Sequence, residues 1–262
     1  MIQYIVDAFA DQIFQGNPAA VCILDHWLND IMLEQITLEN ALHETAFVVP
    51  VKDNLYHMRW LTQKGEINLC GHATLAAAHV ITHYVTPGVN EVKFQTLGGE
   101  LTVKVKGELL EMDFPAYQLK QLEVTDEISD ALGVCPREVW RARDLVCVFD
   151  DPEDVLNMEP DQNKLLKLKG ALMQVTAPGY GGYDCVSRTF SPKMGLVEDP
   201  VCGSGHCHII PYWANRLGTS TLTARQASPR GGTLYCRMEG DRVILAGRTR
   251  LYAKMEVFLE GD

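Results

Sequence analysis

The sequence predicts an α+β fold of two pseudo-symmetric halves, each a curved, mainly antiparallel β-sheet or barrel wrapped around one central helix. Three observations support this prediction: a repeated Cys-Gly motif, a repeated hairpin pattern behind it, and a long uncharged helical stretch. We expect the halves to be residues 1–116 and 117–262, with a linker between Phe114 and Glu123. The last strand, about residues 251–262, could pack back onto the N-terminal half.

The Cys-Gly motif occurs twice in a similar context. The segment RWLTQKGEINLCGHATLAAAHV begins at Arg59, and RTFSPKMGLVEDPVCGSGHCHIIPYW begins at Arg188. Each contains an arginine, a bulky apolar residue, a hydroxyl residue, a lysine and then Cys-Gly before an apolar stretch. This shared order places Cys70 and Cys202 in matching positions and indicates an ancient duplication.

A hairpin pattern follows each Cys-Gly motif. FQTLGGELTVKVKGELLEMDF begins at Phe94, and RQASPRGGTLYCRMEGDRVILAG begins at Arg225. Apolar and polar residues alternate in both segments, less cleanly in the second, with Gly107 and Gly240 at the expected turns. Because these glycines keep nearly the same spacing as the two cysteines, the duplication covers both blocks.

Two helices can be predicted in the N-terminal half. In GHATLAAAHVITHYV, which follows Cys70, small and apolar residues face every direction, and this pattern predicts a helix buried on all sides. An amphipathic helix is predicted from about Asn29 to His43, with Asn29 or Asp30 as its N-cap. Its expected apolar stripe consists of Ile31, Met32, Ile36 and Leu42.

Composition excludes several classes of function. Hydrophobic residues make up 47% of the chain and charged residues 22%, as in ordinary soluble globular proteins. The net charge of −11 argues against binding to nucleic acid or to an anionic membrane. The N-terminus MIQYIVDAFADQ lacks a basic region, so we predict no signal peptide. The eight cysteines form no CxxC pair, and we therefore expect reduced thiols and a cytoplasmic location.

Seven of the eight cysteines divide into two groups. Five are expected to be small core hydrophobes: Cys22, Cys135, Cys147, Cys185 and Cys236. Cys70 and Cys202 instead stand at predicted helix starts, where unpaired N–H groups and the helix dipole should lower the pKa of a thiol. Two such starts meeting between the halves would form a cradle for a substrate carboxylate. Paired groups on opposite faces of a bound carbon suit a cofactor-free racemase, epimerase or isomerase.

A metal site is the less favoured interpretation of the histidines. They form two groups: His206, Cys207 and His208; and His79 and His83. Neither group has the spacing of common zinc sites such as CxxC or HExxH, so we predict no metal ligand.

The chain resembles, almost from end to end, the PhzF-like isomerases of the phenazine-biosynthesis type, which have the diaminopimelate epimerase fold. The motifs that carry the resemblance are DAFADQIFQGNPAAVCIL, ALHETAFVV, EINLCGHATLAAAHV and EDPVCGSGH. The resemblance implies a biosynthetic enzyme that relocates a proton on a small carboxylate, without a metal or an organic cofactor. It also implies that the chain could form a homodimer.

The same resemblance implies roles for individual residues. Glu44, in the HETAF segment, would be the general acid/base, with His72 and Asp199 also in the catalytic set. The implied substrate-binding residues are Cys70, Gly71, Cys202, Gly203 and Ser204. Because Glu44 follows a predicted helix, we expect the dipole to raise its pKa, whereas Asp199 near a helix start should stay ionised.

Two alternatives remain open. In the phenazine enzyme, non-thiol residues precede the Gly-His and Gly-Ser motifs, whereas both positions are cysteines here. Diaminopimelate epimerase and proline racemase use such paired cysteines as acid and base. The chain could therefore be an amino-acid racemase or epimerase that uses Cys70 and Cys202. It could also be a non-catalytic metabolite-binding protein of the same fold, although the presence of Glu44 and Asp199 argues against this.

Overall fold

A computed structural model describes residues 1–259 of the chain. These residues divide into two compact units, which we call the N-terminal unit (residues 1–113 and 246–259) and the C-terminal unit (residues 114–245). The whole of the predicted linker, Phe114–Glu123, therefore belongs to the C-terminal unit, and it includes a short strand, Lys120–Leu122.

The elements of the N-terminal unit begin with the first residues of the chain. They are β1 (Ile2–Ala8), β2 (Asn17–Ile23), α1 (Asp30–Asn40), β3 (Glu44–Lys52), β4 (Leu55–Thr62), β5 (Gly65–Ile67), α2 (Gly71–Val80), β6 (Glu91–Thr96), β7 (Gly99–Lys106) and β8 (Leu109–Pro115). A π-helical turn, Ile81–Val85, continues α2.

The remaining elements follow in chain order. They are β9 (Lys120–Leu122), α3 (Asp126–Leu132), β10 (Glu138–Arg141), β11 (Leu145–Val148), α4 (Pro152–Leu156), α5 (Gln162–Leu165), β12 (Met173–Pro178), β13 (Cys185–Ser191), β14 (Leu196–Asp199), α6 (Gly203–Leu217), β15 (Thr221–Gln226), β16 (Gly232–Glu239), β17 (Arg242–Gly247) and β18 (Thr249–Glu256). A 3-10 turn, Pro192–Met194, separates β13 from β14.

The order of strand pairing is the same in the two units. In the N-terminal unit, β1 is antiparallel to β18 and β2, β2 is parallel to β3, and β3 is antiparallel to β4. β4 then pairs antiparallel with β5 and parallel with β6, which is antiparallel to β7.

In the C-terminal unit, β10 pairs with β9 and β11, β11 is parallel to β12, and β12 is antiparallel to β13. β13 pairs antiparallel with β14 and parallel with β15, which is antiparallel to β16. The predicted α+β class is confirmed, and the repeated pairing order agrees with a duplication.

A central helix fills each unit. Every residue of α2 from His72 to Val80 is buried, and the helix contacts β1, β2, β3, β7 and β18. Its alanines allow the strands to approach the helix closely. In the C-terminal unit, α6 contacts β12, β15 and β16. The prediction that burial continues to Val85 is wrong, because the π-helical turn brings His83, Tyr84 and Val85 to the surface. No helix among residues 1–259 is both long enough and apolar enough to cross a lipid bilayer.

The amphipathic helix α1 differs in part from the prediction. Asn29 is the N-cap, because its Oδ1 accepts a hydrogen bond of 2.9 Å from the Met32 N–H. The helix ends at Asn40, earlier than predicted, because Ala41 adopts a left-handed conformation with φ of 52°. Its buried residues are Leu33, Ile36 and Thr37, whereas the predicted stripe residue Ile31 is exposed. The face that packs on β3 and β4 is thus rotated from the predicted one.

The turn glycines and the core cysteines follow the predictions with one exception. Gly107 and Gly240 have φ values of 61° and 63°, in the left-handed region where glycine is favoured. Among the five predicted core cysteines, four are buried: Cys22, Cys147, Cys185 and Cys236. The prediction for Cys135 is wrong, because this residue is exposed in the loop that follows α3.

Candidate active site

Three of the predicted site residues meet in the N-terminal unit. Glu44 is the first residue of β3, Cys70 is the N-cap of α2, and His72 lies in the first turn of α2, with Gly71 between them. His72 Nε2 lies 3.0 Å from Glu44 Oε2. Cys70 Sγ lies 3.6 Å from His72 Nδ1. We call Glu44, Cys70 and His72 the acid–thiol–imidazole cluster.

Local structure fixes the cluster. Cys70 has an extended backbone, and its carbonyl oxygen accepts hydrogen bonds from the Thr74 hydroxyl at 2.6 Å and the Thr74 N–H at 3.2 Å. Because α2 is wholly buried behind its first turn, neither Cys70 nor His72 can move far without disturbing the core.

The charges of Glu44 and His72 depend on each other. Burial would raise the pKa of Glu44, but the facing His72 and the neighbouring His43 lower it below its ordinary value of 4.5. Burial would lower the pKa of His72, but a hydrogen bond with the Cys70 sulfur and the negative charge of Glu44 raise it well above 6.5. The prediction of a raised pKa for Glu44 is therefore wrong: Glu44 begins a strand and faces an imidazole. At neutral pH the pair is a carboxylate beside an imidazolium.

The thiols at the two helix starts also differ from the prediction. Burial raises the pKa of Cys70, and the opposing effect of His72 does not cancel it. Burial and the nearby Asp199 raise the pKa of Cys202 well above 9.0. The expectation of lowered pKa values is wrong, because loss of hydration outweighs the helix dipole at both positions. Both side chains are neutral thiols at neutral pH.

One carboxylate oxygen of Glu44 has an unusual environment. Oε2 is buried, and among residues 1–259 it accepts no hydrogen bond of regular geometry. Its contact with His72 is an ion pair at 3.0 Å that falls outside the geometry of a regular hydrogen bond. Oε2 therefore keeps a lone pair that can accept a proton.

The cluster could also hold a metal ion. One donor atom each of Glu44, Cys70 and His72 lies within 4.8 Å of the other two. Thiolate, imidazole and carboxylate are the ligand types that zinc binds. No spacing pattern predicts this set of metal ligands, because Glu44 is distant from Cys70 and His72 along the chain.

The remaining predicted site residues lie in the C-terminal unit. Asp199 ends β14, Cys202 is the N-cap of α6, and Gly203 and Ser204 open that helix. Cys202 Sγ accepts a hydrogen bond of 3.3 Å from the Gly205 N–H and lies 3.4 Å from Ser204 Oγ. The expectation that Cys70 and Cys202 share one cleft stays a prediction.

A buried glutamine that we did not predict joins Asp199 to Cys202. Gln226 Nε2 donates to the Asp199 carbonyl oxygen at 2.7 Å, and Gln226 Oε1 accepts from the Cys202 N–H at 2.8 Å. Asp199 Oδ1 accepts a further hydrogen bond from the Val201 N–H at 3.1 Å. The corner between β14 and α6 is therefore held by side chains of its own unit.

A second set of residues was missed by the sequence interpretation. Arg143 and Asp144 lie between β10 and β11, and Arg143 Nη2 donates to Ser204 Oγ at 2.9 Å. The signal was the charged tetrapeptide RARD, residues 141–144, between two apolar strands. No sequence pattern connects this tetrapeptide to α6.

The histidines of the two groups first considered as metal ligands are held by contacts within the fold. His206 Nδ1 lies 2.8 Å from the Cys202 carbonyl oxygen, and His208 Nδ1 lies 3.0 Å from that of Ser204. The rings of His79 and His83 stack, with centroids 4.2 Å apart. Stacked rings do not direct their nitrogen lone pairs at a common point, which disfavours a shared metal ion between them.

Comparisons with known proteins cover nearly the whole chain. A family model described as "Phenazine biosynthesis-like protein" matches residues 6–254. An uncharacterized isomerase of Pseudomonas aeruginosa is 45% identical over 247 residues, which cover 94% of this chain and 95% of that protein. A crystal structure of a phenazine biosynthesis protein of the PhzF family from Enterococcus faecalis is 44% identical, with a TM-score of 0.96, over 98% of this chain and 99% of that one. A putative PhzC/PhzF protein from Clostridium difficile is 40% identical, with a TM-score of 0.94, over 99% of this chain and 100% of that one. The chain belongs to the phenazine biosynthesis-like protein family.

Proposed function

We propose that this chain is a cofactor-independent isomerase that relocates a proton on a small carboxylate substrate, with Glu44 as the general acid/base. The observation that carries the proposal is the buried Oε2 of Glu44, which faces His72 and accepts no regular hydrogen bond among residues 1–259. The name isomerase of the Pseudomonas aeruginosa relative supports the reaction class.

The lowered pKa of Glu44 sets the order of the steps. Glu44 is ionised in the resting enzyme, so it acts first as a base. It takes a proton from the α- or γ-carbon of the substrate, and the electron pair of that C–H bond moves into the conjugated carboxylate system. The protonated Glu44 then returns the proton to another carbon, which restores the carboxylate and leaves an isomer of the substrate. The number of atoms and electrons in the substrate is unchanged.

His72 supports this cycle from within the cluster. As an imidazolium it stabilises the ionised Glu44 in the resting state, at 3.0 Å. In the proposal, Asp199 completes the catalytic set, and the substrate is bound by Cys70, Gly71, Cys202, Gly203 and Ser204.

The racemase alternative requires one thiolate and one thiol. The raised pKa values of Cys70 and Cys202 weigh against it, because neither cysteine supplies a base at neutral pH. The two models make opposite predictions for the same set of variants.

The test is exchange of substrate C–H protons with deuterated solvent, across a panel of small carboxylic and amino acids. We expect Glu44→Gln to reduce exchange by about 10²–10⁴-fold, the usual cost of losing a general acid/base. Cys70→Ser and Cys202→Ser should reduce it far less. The matched control is Glu39→Gln on exposed α1, which should retain full exchange.

Three outcomes would contradict the proposal in different ways. Loss of exchange in the serine variants with an active Glu44→Gln would establish the thiol racemase. Equal activity of Glu44→Gln and Glu39→Gln would exclude Glu44 as the base. Binding without exchange by the wild type across the panel would indicate a metabolite-binding protein.

A further inference from the structure

We propose that Arg143 is the cationic residue of a carboxylate-binding site in the C-terminal unit, and that it binds the acid group of the substrate. The class of ligand rests on the proposed function, because a small carboxylate substrate needs a partner for its charge. The site itself rests on the position of Arg143 beside Ser204.

The guanidinium of Arg143 is held in a fixed orientation. Nε donates to Asp144 Oδ1 at 2.8 Å, and Nη2 donates to Asp144 Oδ2 at 2.7 Å. Asp144 is fully buried and also accepts a hydrogen bond of 3.0 Å from Gln174 Nε2. Such a two-point contact with an anchored carboxylate leaves the planar guanidinium little freedom.

The opposite edge of the guanidinium, formed by Nη1 and Nη2, is only partly engaged. Nη2 also donates to Ser204 Oγ, which lies 3.4 Å from Cys202 Sγ. Nη1 donates to no acceptor among residues 1–259, although the Arg143 side chain is only 33% exposed. The free N–H groups of a half-buried arginine therefore lie next to two of the predicted substrate-binding residues.

Packing behind the arginine prepares this arrangement before a ligand binds. The Tyr117 ring lies against the guanidinium at 5.5 Å and stacks on His208 at 4.0 Å. Gln174, which orients Asp144, is itself held by the Thr189 hydroxyl at 2.6 Å. Because these contacts are already made, little conformational entropy is lost when an anion binds.

We expect Arg143 to contribute to binding mainly by orienting the carboxylate of the ligand, and less by its net charge. Asp144 cancels much of the charge of Arg143, but it occupies Nε and Nη2 and leaves Nη1 for a ligand. The positive end of α6, which begins at Gly203, adds to the local attraction for an anion. In a chain with a net charge of −11, such a local site is needed to hold an anionic substrate.

The site can be tested without a known substrate by alkylating Cys202 with two reagents. Iodoacetate and iodoacetamide deliver the same carbon to a thiol, but only iodoacetate carries a carboxylate. The rate constants of both reagents at Cys202 are measured by peptide mass spectrometry. The rate constant of iodoacetate divided by that of iodoacetamide gives a ratio at Cys202. Dividing this ratio by the corresponding ratio at exposed Cys135 gives the normalised ratio. If Arg143 binds carboxylates, the normalised ratio should exceed one and should fall about fivefold in Arg143→Gln.

The variants distinguish the two-point hydrogen bonding of the Arg143 guanidinium from its positive charge. Arg143→Lys retains the charge but loses the planar guanidinium, and we expect an intermediate normalised ratio. The matched control is Arg216→Gln, which removes one positive charge from the last turn of α6 and should leave the ratio unchanged. Arg143→Gln leaves Asp144 buried without its partner, so the double variant with Asp144→Asn is measured in parallel, and thermal unfolding of each variant verifies that it folds.

Three results would overturn the proposal. These are a normalised ratio near one in the wild type, a ratio that the folded Arg143 variants leave unchanged, and a Cys202 that neither reagent alkylates while Cys135 reacts. Because the raised pKa of Cys202 slows alkylation but does not abolish it, the last result would mean that small carboxylates do not reach Arg143. Alkylation requires no turnover, so its failure is distinguishable from a failure of the Glu44 mechanism.

Discussion

His72 Nε2 lies 3.0 Å from Glu44 Oε2, inside one unit and with both side chains largely buried. The first residue of a strand and the first turn of a helix thereby form an ion pair that no motif in the sequence describes. Since the lowered pKa of Glu44 and the raised pKa of His72 stabilise their charged forms, stability and catalysis should both depend on this contact.

The Glu44–His72 pair predicts a pH window for stability. The contribution of Glu44, whose folded pKa is lowered, is present above its unfolded pKa and is lost as the pH falls through the folded value. That of His72, whose folded pKa is raised, is complete below its ordinary pKa of 6.5 and is lost as the pH rises through the folded value. The free energy of unfolding of the wild type should therefore exceed that of Glu44→Gln most between about pH 5 and pH 6.5. Urea titrations across the pH range measure the difference, and Glu39→Gln serves as the flat reference. A Glu44→Gln difference that does not vary with pH would contradict the ion pair.

The cysteines should differ widely in reactivity. At neutral pH we expect iodoacetamide to modify exposed Cys135 first, and Cys70 and Cys202 at least tenfold more slowly, because their thiols are buried and have raised pKa values. Time-resolved peptide mapping gives the order. If Cys70 or Cys202 reacted ahead of Cys135, at least one helix-start cysteine would be an activated thiolate and the racemase model would regain support.

Metal ions should act on the acid–thiol–imidazole cluster as inhibitors. Under the proposed function, dialysis against a chelator should leave proton exchange unchanged, whereas added Zn²⁺ should bind the cluster and block Glu44. Calorimetric titration should show Zn²⁺ binding that weakens about 10-fold or more in Cys70→Ser. Mg²⁺, which prefers oxygen ligands, is the control and should not compete. Loss of exchange on chelation, restored by metal, would refute the cofactor-independent mechanism.

Helix α6 packs so closely on Gln174 that we expect no room for an additional side-chain atom at Gly205. A Cβ at Gly205 would lie 2.5 Å from Gln174 Oε1 and 2.6 Å from Nε2, and Gln174 is fixed by Asp144 and Thr189. We expect Gly205→Ala to lower the free energy of unfolding by about 1–3 kcal/mol. In the Gln174→Ala background the same change should cost less, and a double-mutant cycle measures the difference. Additive changes in the free energy of unfolding would show that Gly205 and Gln174 are not energetically coupled, which would contradict the prediction.

Patterns that depend on neighbouring residues could be predicted from the sequence. The duplication, the central helices after Cys70 and Cys202, and the turns at Gly107 and Gly240 follow from periodicity and glycine chemistry. The pKa directions of Glu44 and of the two thiols could not be predicted, because they depend on burial and on partners such as His72 that only the tertiary structure brings near. Arg143 was missed for the same reason: its significance comes from its contact with Ser204, which lies on α6, far from Arg143 along the chain.

The pairing of β1 with β18 has a consequence for synthesis on the ribosome. β1 pairs with β18 along Ile2–Ala8, so a strand made early is completed by one made after the whole C-terminal unit. Residues 114–245 are contiguous and can fold as they emerge, whereas β1 must wait for β18. At about 5–20 residues per second, this delay lasts on the order of ten seconds or more. A nascent chain therefore carries an unpaired β1 edge until β18 has been synthesised, and truncations that remove β18 should damage the N-terminal unit first.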